Sequence, residues 1–423
     1  MRPLPPIPDW VTLEHQVAQI LQQQEENGWT FDERAAWELT QTLQKEYEET
    51  VKILRDRHPQ IQGTEFTPKR DNRTQGYVRG ATLTRLKELN PTSRDHIAWI
   101  LTTHYGWKPS SMTSTGKPVI DEVILKEIGT EISMMFFKCL DLTKKLGMLS
   151  EGNNAWLKLV TKSKIHHHCS VATNTHRCAH RNPNLAQTPS DERFRKLFTT
   201  EPTKVMVGAD LSGIELRMLA HYIHPYDGGR YSNILLTGDI HQVNADKIGI
   251  SRRLVKTVTY AFLYGAGDIK IGYSYSQCLS EDQARAKGRE IRKAFIDAIP
   301  GLAKLLKAIK DASKRGFIRA IDGRKIEVDS AHKALNYCLQ SSAGVIAKRW
   351  MVIANDMIHT HPYFEANQLA FIHDELQFET TKNYEHDIRF ILEISAGRAG
   401  ETYKTRIPIA AESKSGRSWA DVH

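Results

Sequence analysis

The sequence has few cysteines and no long apolar run. The five cysteines are odd in number and scattered, which argues against a disulfide framework and is typical of free thiols in a reducing compartment. They are Cys139, Cys169, Cys178, Cys278 and Cys338. No segment approaches the roughly 20 apolar residues of a transmembrane helix, and the start MRPLPPIPDW lacks the apolar core of a signal peptide. We therefore expect a cytoplasmic protein that does not enter a membrane.

The sequence also has no evident internal repeat or heptad array. Its informative features are its length and its positive net charge. The chain has 423 residues, of which 40% are hydrophobic and 25% charged, with a net charge of +9 and a pI of about 9.1. This length exceeds one ordinary core and predicts two or three domains or subdomains. The basic surplus favours an acidic partner such as nucleic acid, although a basic protein without a polyanion partner is the alternative.

Helical patterns dominate up to about residue 160, and strand-like runs flank polar clusters beyond it. Asp32 is a candidate cap for a long helix that ends near Arg57. The polar connection over residues 58–80 is either a solvated loop or a phosphate-contacting segment. Its cations are Lys69, Arg70, Arg73 and Arg79.

The second part of the chain alternates strand-like and helical segments. The strand-like segments are KVMVGAD, FIRAIDGRKIEV and QLAFIHDELQFE. Helices are predicted over 213–222, 252–264, 281–299, 302–314 and 331–361. A helical first part joined to a second part of mixed elements predicts the α+β class, with a sheet that carries acidic residues.

Carboxylates stand at the ends of two of these strand-like segments. Asp210 follows a buried run and precedes a predicted helix, so it could hold a metal or cap the helix. Asp374 and Glu375 lie between two strand-like runs, where a hairpin turn is the simpler interpretation. If the strands are neighbours in one sheet, Asp210 and Asp374 converge. Together with substrate phosphates, two such oxygen ligands form a Mg²⁺ site suited to in-line phosphoryl displacement.

The segment after Ser251, a candidate N-cap, carries polar residues at steps of four. They are Arg252, Lys256, Tyr260 and Tyr264. This spacing places two cations and two tyrosines on one helix stripe, which suits the phosphates, sugar and base of a nucleotide. The following Gly265 allows close backbone approach. The alternative is a cationic helix face with two packed tyrosines.

Together these segments resemble motifs A, B and C of the A-family, or Pol I-like, DNA polymerases. DLSGIELR resembles motif A, RRLVKTVTYAFLYGAG motif B and HDE motif C. NPNLAQ at 182–187, GDIH at 238–241, DGRK at 322–325 and ALNYCLQSSAG at 334–344 agree as well. The details are most similar to the polymerase domain of the replicative polymerases of podovirus-type phages. The likeness extends over most of the chain.

The resemblance implies a right-hand architecture with a helical thumb, a palm built on an antiparallel sheet, and helical fingers. The implied boundaries are 1–160 for the thumb after a short proline-rich lead-in, 161–225 and 335–423 for the palm, and 226–334 for the fingers. No 3′→5′ exonuclease domain is expected. The 58–92 segment is too short for the insertion with which some phage relatives bind thioredoxin, so we expect no thioredoxin dependence.

The implied activity is DNA-directed DNA polymerisation in phage DNA replication, in the cytoplasm of an infected bacterial host. The implied partners are primer-template DNA, dNTPs, and a separately encoded exonuclease or other replisome proteins. Asp210 and Asp374 would bind two Mg²⁺ ions, for which Mn²⁺ can substitute, together with the Leu211 carbonyl. Glu375 would support this site.

The resemblance also implies substrate contacts. Those to the dNTP fall on Arg252, Lys256, Tyr260, His241 and Glu215. Glu215 would fill the space of a ribose 2′-OH, and Tyr260 would favour acceptance of dideoxynucleotides. The contacts to primer-template DNA fall on Tyr264, Gly265, Arg177, Gln187, Asn336, Gln340 and His373.

One segment departs from the family pattern. In THRCAH, His176 stands where the family has glycine, and IHHHCS upstream departs as well. The resulting cluster is a zinc site or an ordinary hairpin near the primer strand. Its members are His166, His167, His168, Cys169, His176, Cys178 and His180.

Three other functions share parts of this pattern. A template-directed RNA polymerase would share the palm, but Glu215 and the complete motif B argue against it. A non-catalytic DNA-binding scaffold would be expected to lose a metal carboxylate or a motif B cation, and none is missing. A two-metal nuclease leaves the stripe from Arg252 to Tyr264 unexplained.

Overall fold

The computed structural model describes residues 6–109, 111–171, 173–276 and 279–423. Cys278 and the first five residues of the proline-rich lead-in lie outside the described residues. The other four cysteines are free and buried. No described helix is long and apolar enough to cross a membrane.

Helices make up most of the regular structure. They are α1 (Asp9–Asn27), α2 (Glu33–Arg57), α3 (Arg94–Tyr105), α4 (Glu122–Ile128), α5 (Glu131–Leu146), α6 (Trp156–Leu159), α7 (Glu192–Arg195), α8 (Ile214–Asp227), α9 (Arg230–Thr237), α10 (Ile240–Ile248), α11 (Arg252–Leu263), α12 (Asp268–Tyr275), α13 (Glu281–Ala298), α14 (Leu302–Ser313), α15 (Ala334–His359), α16 (Glu385–Thr402) and α17 (Trp419–Val422).

The strands are short, and their pairing is antiparallel. They are β1 (Trp29–Thr30), β2 (Gln60–Phe66), β3 (Leu83–Glu88), β4 (Lys164–Ile165), β5 (His168–Ser170), β6 (Ala179–Arg181), β7 (Lys204–Leu211), β8 (Phe317–Arg319), β9 (Lys325–Glu327), β10 (Ala366–Ile372), β11 (Glu375–Thr381) and β12 (Ala411–Gly416). The mixture of helices and antiparallel sheets confirms the predicted α+β class.

The chain divides into two compact units. The first comprises the residues up to Ala35 together with Leu159–His423, and the second is Ala36–Lys158. The sequence boundaries grouped residues 1–160 together, whereas α1 belongs to the first unit. The reason is that the apolar face of α1, with Leu13 and Val17, is part of the main core of that unit.

The second unit is mainly helical. Its core includes Leu54, Leu101 and Phe136, which are fully buried. The polar connection predicted over 58–80 contains strand β2, which pairs with β3 in an antiparallel hairpin. This hairpin was not predicted, because every residue of β3 is exposed and no buried alternation marks it. The four cations of the connection are exposed. This exposure agrees equally with a solvated loop and with a phosphate-contacting segment.

The first unit is built around a four-stranded sheet in the order β10-β11-β7-β12. Val207 and Ala209 of β7 face the same core as Leu376 and Phe378 of β11. Helices α15 and α16 add their apolar faces to this core. The alternate residues of β7 and β11 point to the other side of the sheet, where the polar side chains lie.

Most predicted helices of the first unit begin and end within three residues of their expected positions. The exception is α8, which continues to Asp227 with Pro225 inside it. The N-cap of α8 is Gly213, at φ 57°, and no side chain caps this helix. This geometry excludes the interpretation of Asp210 as a helix cap.

Helices α12 and α13 approach each other with their backbones in contact. A Cβ atom on Gly272 would lie 1.8 Å from the carbonyl oxygen of Ala284. A Cβ atom on Gly288 would lie 1.7 Å from the carbonyl oxygen of Asp268. Only glycine fits at either position, because both distances are far shorter than van der Waals contact.

A buried ionic network joins α1 to α15 and to the turn between β8 and β9. Lys348 is fully buried, and its Nζ donates to the two carboxylate oxygens of Glu14 at 2.9 and 2.7 Å. Arg324 also pairs with Glu14, and its Nε donates to Asp322 at 2.6 Å. Each buried charge is therefore compensated by a partner.

We predict that Glu14→Ala lowers the free energy of unfolding by about 3–5 kcal/mol, because it leaves Lys348 buried without its counter-ion. The matched control is Glu26→Ala on the exposed face of the same helix, with an expected change within about 0.5 kcal/mol. Denaturant unfolding followed by tryptophan fluorescence measures both. A loss below about 1 kcal/mol in Glu14→Ala would contradict this role of the network.

Candidate active site

The sheet brings the two predicted metal carboxylates together. Asp210 lies near the end of β7, and Asp374 lies in the turn between β10 and β11. The register pairs Asp210 with Glu375, and the backbone amide of Leu211 donates to the Asp374 carbonyl at 3.0 Å. His373, in the same turn, has φ 59°, a left-handed conformation that is uncommon for a residue with a side chain.

The charge around Asp210 is strongly negative. Partial desolvation, followed by the carboxylates of Asp374, Glu375 and Glu412, raises the pKa of Asp210 to about 7. Within the described ranges, the Asp210 side chain has no hydrogen-bond partner or counter-ion. Burial also raises the pKa of Asp374, against a smaller lowering by Arg177. The cluster therefore has oxygen ligands for a cation and a deficit of positive charge.

Glu375 differs from its two neighbours because it is buried and firmly held. Trp419 Nε1 donates to its Oε1 at 2.7 Å, and the Gln377 amide donates to the same oxygen. Burial raises the pKa of Glu375, while these two hydrogen bonds lower it. Glu375 is thus a carboxylate in a fixed position opposite Asp210 on the neighbouring strand.

Glu412 is an acidic residue that the sequence reasoning missed. It lies on β12 directly opposite Asp210, and both line a cavity of about 400 Å³ with Lys414. The segment AESKSG of β12 has no apolar alternation, and its pairing with β7 joins distant parts of the chain. No local signal could have linked Glu412 to Asp210.

A second cavity, of about 390 Å³, gathers most of the predicted motif A and C residues. Its lining includes Arg177, Asp210, Leu211, Glu215, Tyr260, Tyr264, His373 and Asp374. Arg177 donates to Glu215 Oε1 at 2.7 Å, and the Tyr264 hydroxyl donates to the same oxygen at 3.1 Å. Burial and the charge of Glu215 raise the pKa of Tyr264 to about 12. Two donors thus fix the position of the Glu215 carboxylate.

Helix α11 carries the predicted stripe. The Ser251 hydroxyl accepts from the Leu254 amide at 3.3 Å, which confirms the N-cap. Arg252 and Lys256 are exposed, whereas Val255 and Val258 are fully buried. This division confirms that the cations lie on a different face of the helix from its packed residues.

The cations around α11 differ in their partners. Arg252 Nε donates to Asp239 at 2.6 Å, in an exposed ion pair. Lys256 has no hydrogen-bond or ion-pair partner in the part of the chain that the structure describes. His241 is buried, its ring centroid is 6.1 Å from that of Tyr260, and its Nδ1 atom has no hydrogen-bond partner among the described residues. Desolvation lowers the pKa of His241.

Four predicted primer-template residues lie outside this second cavity. Gly265, at φ 72°, and Asn336 line a neighbouring cavity of about 490 Å³. The Asn336 side chain donates to the Leu263 carbonyl at 2.7 Å. Gln187 is exposed in a short 3₁₀ turn, and Gln340 is half-buried on α15.

His176, which departs from the family pattern, has an unusual backbone conformation. His176 has φ 58°, the left-handed conformation that glycine adopts without strain. Its Nδ1 atom forms a hydrogen bond with the Ser341 hydroxyl. Burial lowers the pKa of His176 to about 4. The glycine that the resemblance implies here would adopt this conformation without strain, and the histidine of this chain is held by a side-chain partner.

Sequence comparison identifies the family. A family model described as DNA polymerase family A matches residues 44–421. The DNA-directed DNA polymerase of Enterobacteria phage T3 is 30% identical over 500 residues, which cover 98% of this chain and 70% of the phage protein. The enzyme of Escherichia phage T7 is also 30% identical, over 502 residues and the same shares. The chain belongs to DNA polymerase family A, a family of DNA-directed DNA polymerases.

Structural comparison agrees with this assignment. The POL domain of Pol1 from M. smegmatis, solved in complex with a DNA primer-template and dNTP, superimposes with a TM-score of 0.76. The match covers 97% of this chain and 70% of that one, at 20% identity. At this identity the likeness concerns the fold, and it confirms the predicted polymerase fold class.

We predict that Asp210→Asn stabilises the protein in EDTA as the pH rises. The folded-state pKa of Asp210 is about 7, and an unfolded aspartate titrates near 4. The folded state favours the protonated form of Asp210. The stability that this preference contributes is therefore fully present below about pH 4 and is lost as the pH rises through 7. After allowance for solvent screening, the variant should gain up to about 1 kcal/mol at pH 8 and less at pH 5.

Thermal unfolding at the two pH values measures this difference. Asp356→Asn, an exposed position on α15, serves as the control and should show no comparable pH-dependent gain. A lower stability of Asp210→Asn than of the parent at pH 8 would show that Asp210 is compensated in the metal-free protein.

Proposed function

We propose that the chain extends a primer 3′-OH by template-directed addition of dNTPs, using two metal ions, in phage DNA replication. The observation that supports this proposal is the convergence of Asp210 and Asp374 in one cavity with Glu215 and Tyr260. We further propose the palm at 161–225 and 335–423, the fingers at 226–334, and the thumb within 1–160.

The donor set around Asp210 fits Mg²⁺. Carboxylate and carbonyl oxygens are the ligands that this ion prefers, and Asp210, Asp374 and the Leu211 carbonyl supply them. Desolvation and the neighbouring carboxylates raise the pKa of Asp210, and a bound divalent cation would offset both effects. Bound here, two ions would lower the pKa of the primer 3′-OH and neutralise charge on the reacting phosphates. Glu375, opposite Asp210 on the neighbouring strand, would support the positions of the metal ligands.

The exposed cations of α11 would bind the triphosphate. Lys256 is free to do so, and the Arg252–Asp239 pair is an exposed ion pair of small net stability, so a phosphate can replace Asp239. The buried His241, whose Nδ1 atom has no hydrogen-bond partner among the described residues, would be a further phosphate contact. These groups would hold the leaving pyrophosphate in line with the attacking hydroxyl and stabilise its growing charge.

The sugar and the base pair would be tested by the side chains that line the cavity. Glu215, fixed by Arg177 and Tyr264, would occupy the space of a ribose 2′-OH. Tyr260, beside it, would contact the deoxyribose and favour acceptance of dideoxynucleotides. Closure of α11 over the nucleotide would exclude water and test the shape of the base pair.

Contacts to the primer-template would come from polar groups around the cavities. Tyr264 and Gly265 would hold the template base. Minor-groove acceptors lie in similar places on all four base pairs, so donors can test pair geometry without reading sequence. The proposed contacts are Arg177, Gln187, Asn336, Gln340 and His373.

We predict that Asp210→Ala and Asp374→Ala each reduce primer extension by at least about 10³-fold, because each removes ligand charge that stabilises the transition state. Duplex binding should change little. The control is Asp356→Ala, which should extend normally. The assay is a gel of primer extension with dNTPs, rNTPs or no nucleotide, with and without Mg²⁺.

The same assay can also contradict the proposed function. Extension retained in either variant would reject the metal assignment. Primer shortening without nucleotides would favour a nuclease, and efficient extension with rNTPs would favour an RNA polymerase.

We predict that Glu215→Ala raises the efficiency of rNTP incorporation relative to dNTP by about 10–100-fold, because it opens space for a 2′-OH. It should also slow dNTP incorporation, since Arg177 and Tyr264 lose their common partner. Glu215→Gln keeps the side-chain volume and should keep most of the discrimination. Single-nucleotide kinetics measure both ratios, and a ratio within about twofold of the parent in Glu215→Ala would reject the sugar-gate role.

A further inference from the structure

Three soft ligands gather on the hairpin formed by β5 and β6. The register pairs Cys169 with His180, and His167 precedes β5. His167 and Cys169 are buried, and so is the Nε2 atom of His180. The polymerase function proposed above gives none of these three residues a role.

The distances between the ligand atoms fit a transition-metal site. Cys169 Sγ lies 3.1 Å from His180 Nδ1 and 3.7 Å from His167 Nδ1. One ligand atom from each of the three residues lies within 4.8 Å of the other two. A tetrahedral Zn²⁺ with its usual bond lengths separates sulfur and nitrogen ligands by about 3.5 Å. The two measured distances bracket this value.

Hydrogen bonds from outside the hairpin hold two of the three ligands, His167 and Cys169. His167 Nε2 donates to the Leu369 carbonyl on β10 at 3.0 Å, which leaves a lone pair on Nδ1 facing Cys169. A ligating histidine commonly donates its second ring nitrogen to a carbonyl in this way. The Gln24 amide of α1 donates to the Cys169 sulfur at 3.6 Å. The cluster therefore contacts two further elements of the first unit, β10 and α1.

Both imidazoles are in the protonation state that a metal requires. Burial lowers the pKa of His167, and it lowers the pKa of His180 to about 3. Neutral rings offer lone pairs at neutral pH, whereas burial raises the pKa of the Cys169 thiol to about 12, so an ion would bind with displacement of the thiol proton. A thiol and two neutral imidazoles can also form a hydrogen-bonded network without a metal, and the experiment below separates the two states.

We propose that His167, Cys169 and His180 bind a thiophilic divalent ion, Zn²⁺, through three protein ligands, with a fourth position left for a water molecule. Sulfur and imidazole ligands select such an ion, whereas Mg²⁺ prefers oxygen. The site is distinct from the carboxylates of Asp210 and Asp374. It fixes the hairpin against β10 and α1, and the His180 ring meets the His373 ring edge-on at 6.1 Å. The ion would thus stabilise the hairpin that packs beside the turn containing His373 and Asp374.

The test uses the purified full chain after dialysis against zinc-free buffer. Elemental mass spectrometry of the parent should find roughly one zinc ion per chain. Cys169→Ser and His180→Gln should lose it, with a dissociation constant raised more than about 100-fold. Cys338→Ser, a buried thiol on α15, is the matched control and should retain the ion. Far-UV circular dichroism checks that each variant folds.

Cobalt substitution supplies a readout that needs no variant. The Co²⁺ form of the parent should show a thiolate-to-cobalt charge-transfer band, since the ligand set contains Cys169. A parent that takes up no zinc overturns the proposal, as does a Co²⁺ complex without this band. Equal zinc affinity in Cys169→Ser and the parent overturns it too. If Cys169→Ser fails to fold, His180→Gln and the cobalt spectrum decide the question.

Discussion

The register between β7 and β11 is the constraint on which the rest of the site depends. Val207 and Ala209 pack into the core beside Phe378 and Leu376, and this apolar pairing fixes the alignment of the two strands. A slip of one residue would place apolar side chains on the polar face and remove Glu375 from its position opposite Asp210. The hydrophobic effect on one face of the sheet thus sets the spacing of the carboxylates on the other.

The same arrangement has a cost that the core offsets. Desolvation and the like charges around Asp210 disfavour its ionised form and raise its pKa to about 7. His373 adds an uncommon backbone conformation in the same turn. Functional sites often break local rules in this way and rely on surrounding structure for compensation. Here the compensation is a sheet with an apolar core on one face, and Glu375 held by Trp419 and Gln377.

The parts of the site that the sequence predicts are those with a local pattern. Asp210 ends an apolar run, and the stripe on α11 repeats at the helix period, so both could be read from neighbouring residues. Glu412 could not, because its strand lacks alternation and its partner lies far away in the chain. The Arg177–Glu215 ion pair and the exposed β2–β3 hairpin were also missed, since each depends on tertiary packing or lacks a buried face. Local patterns predicted the helices well. The neighbours within the sheet could be expected only from the family resemblance.

Gly272 and Gly288 allow helices α12 and α13 to approach each other closely. Backbone atoms meet at these two glycines, beside side-chain contacts such as the Arg292–Asp268 ion pair, so the close approach of the two helices requires glycine at both positions. In evolutionary terms, the outward faces can change residue by residue while the contact persists. A comparison of distant homologues should therefore recognise this helix pair by two small residues and their spacing rather than by overall similarity.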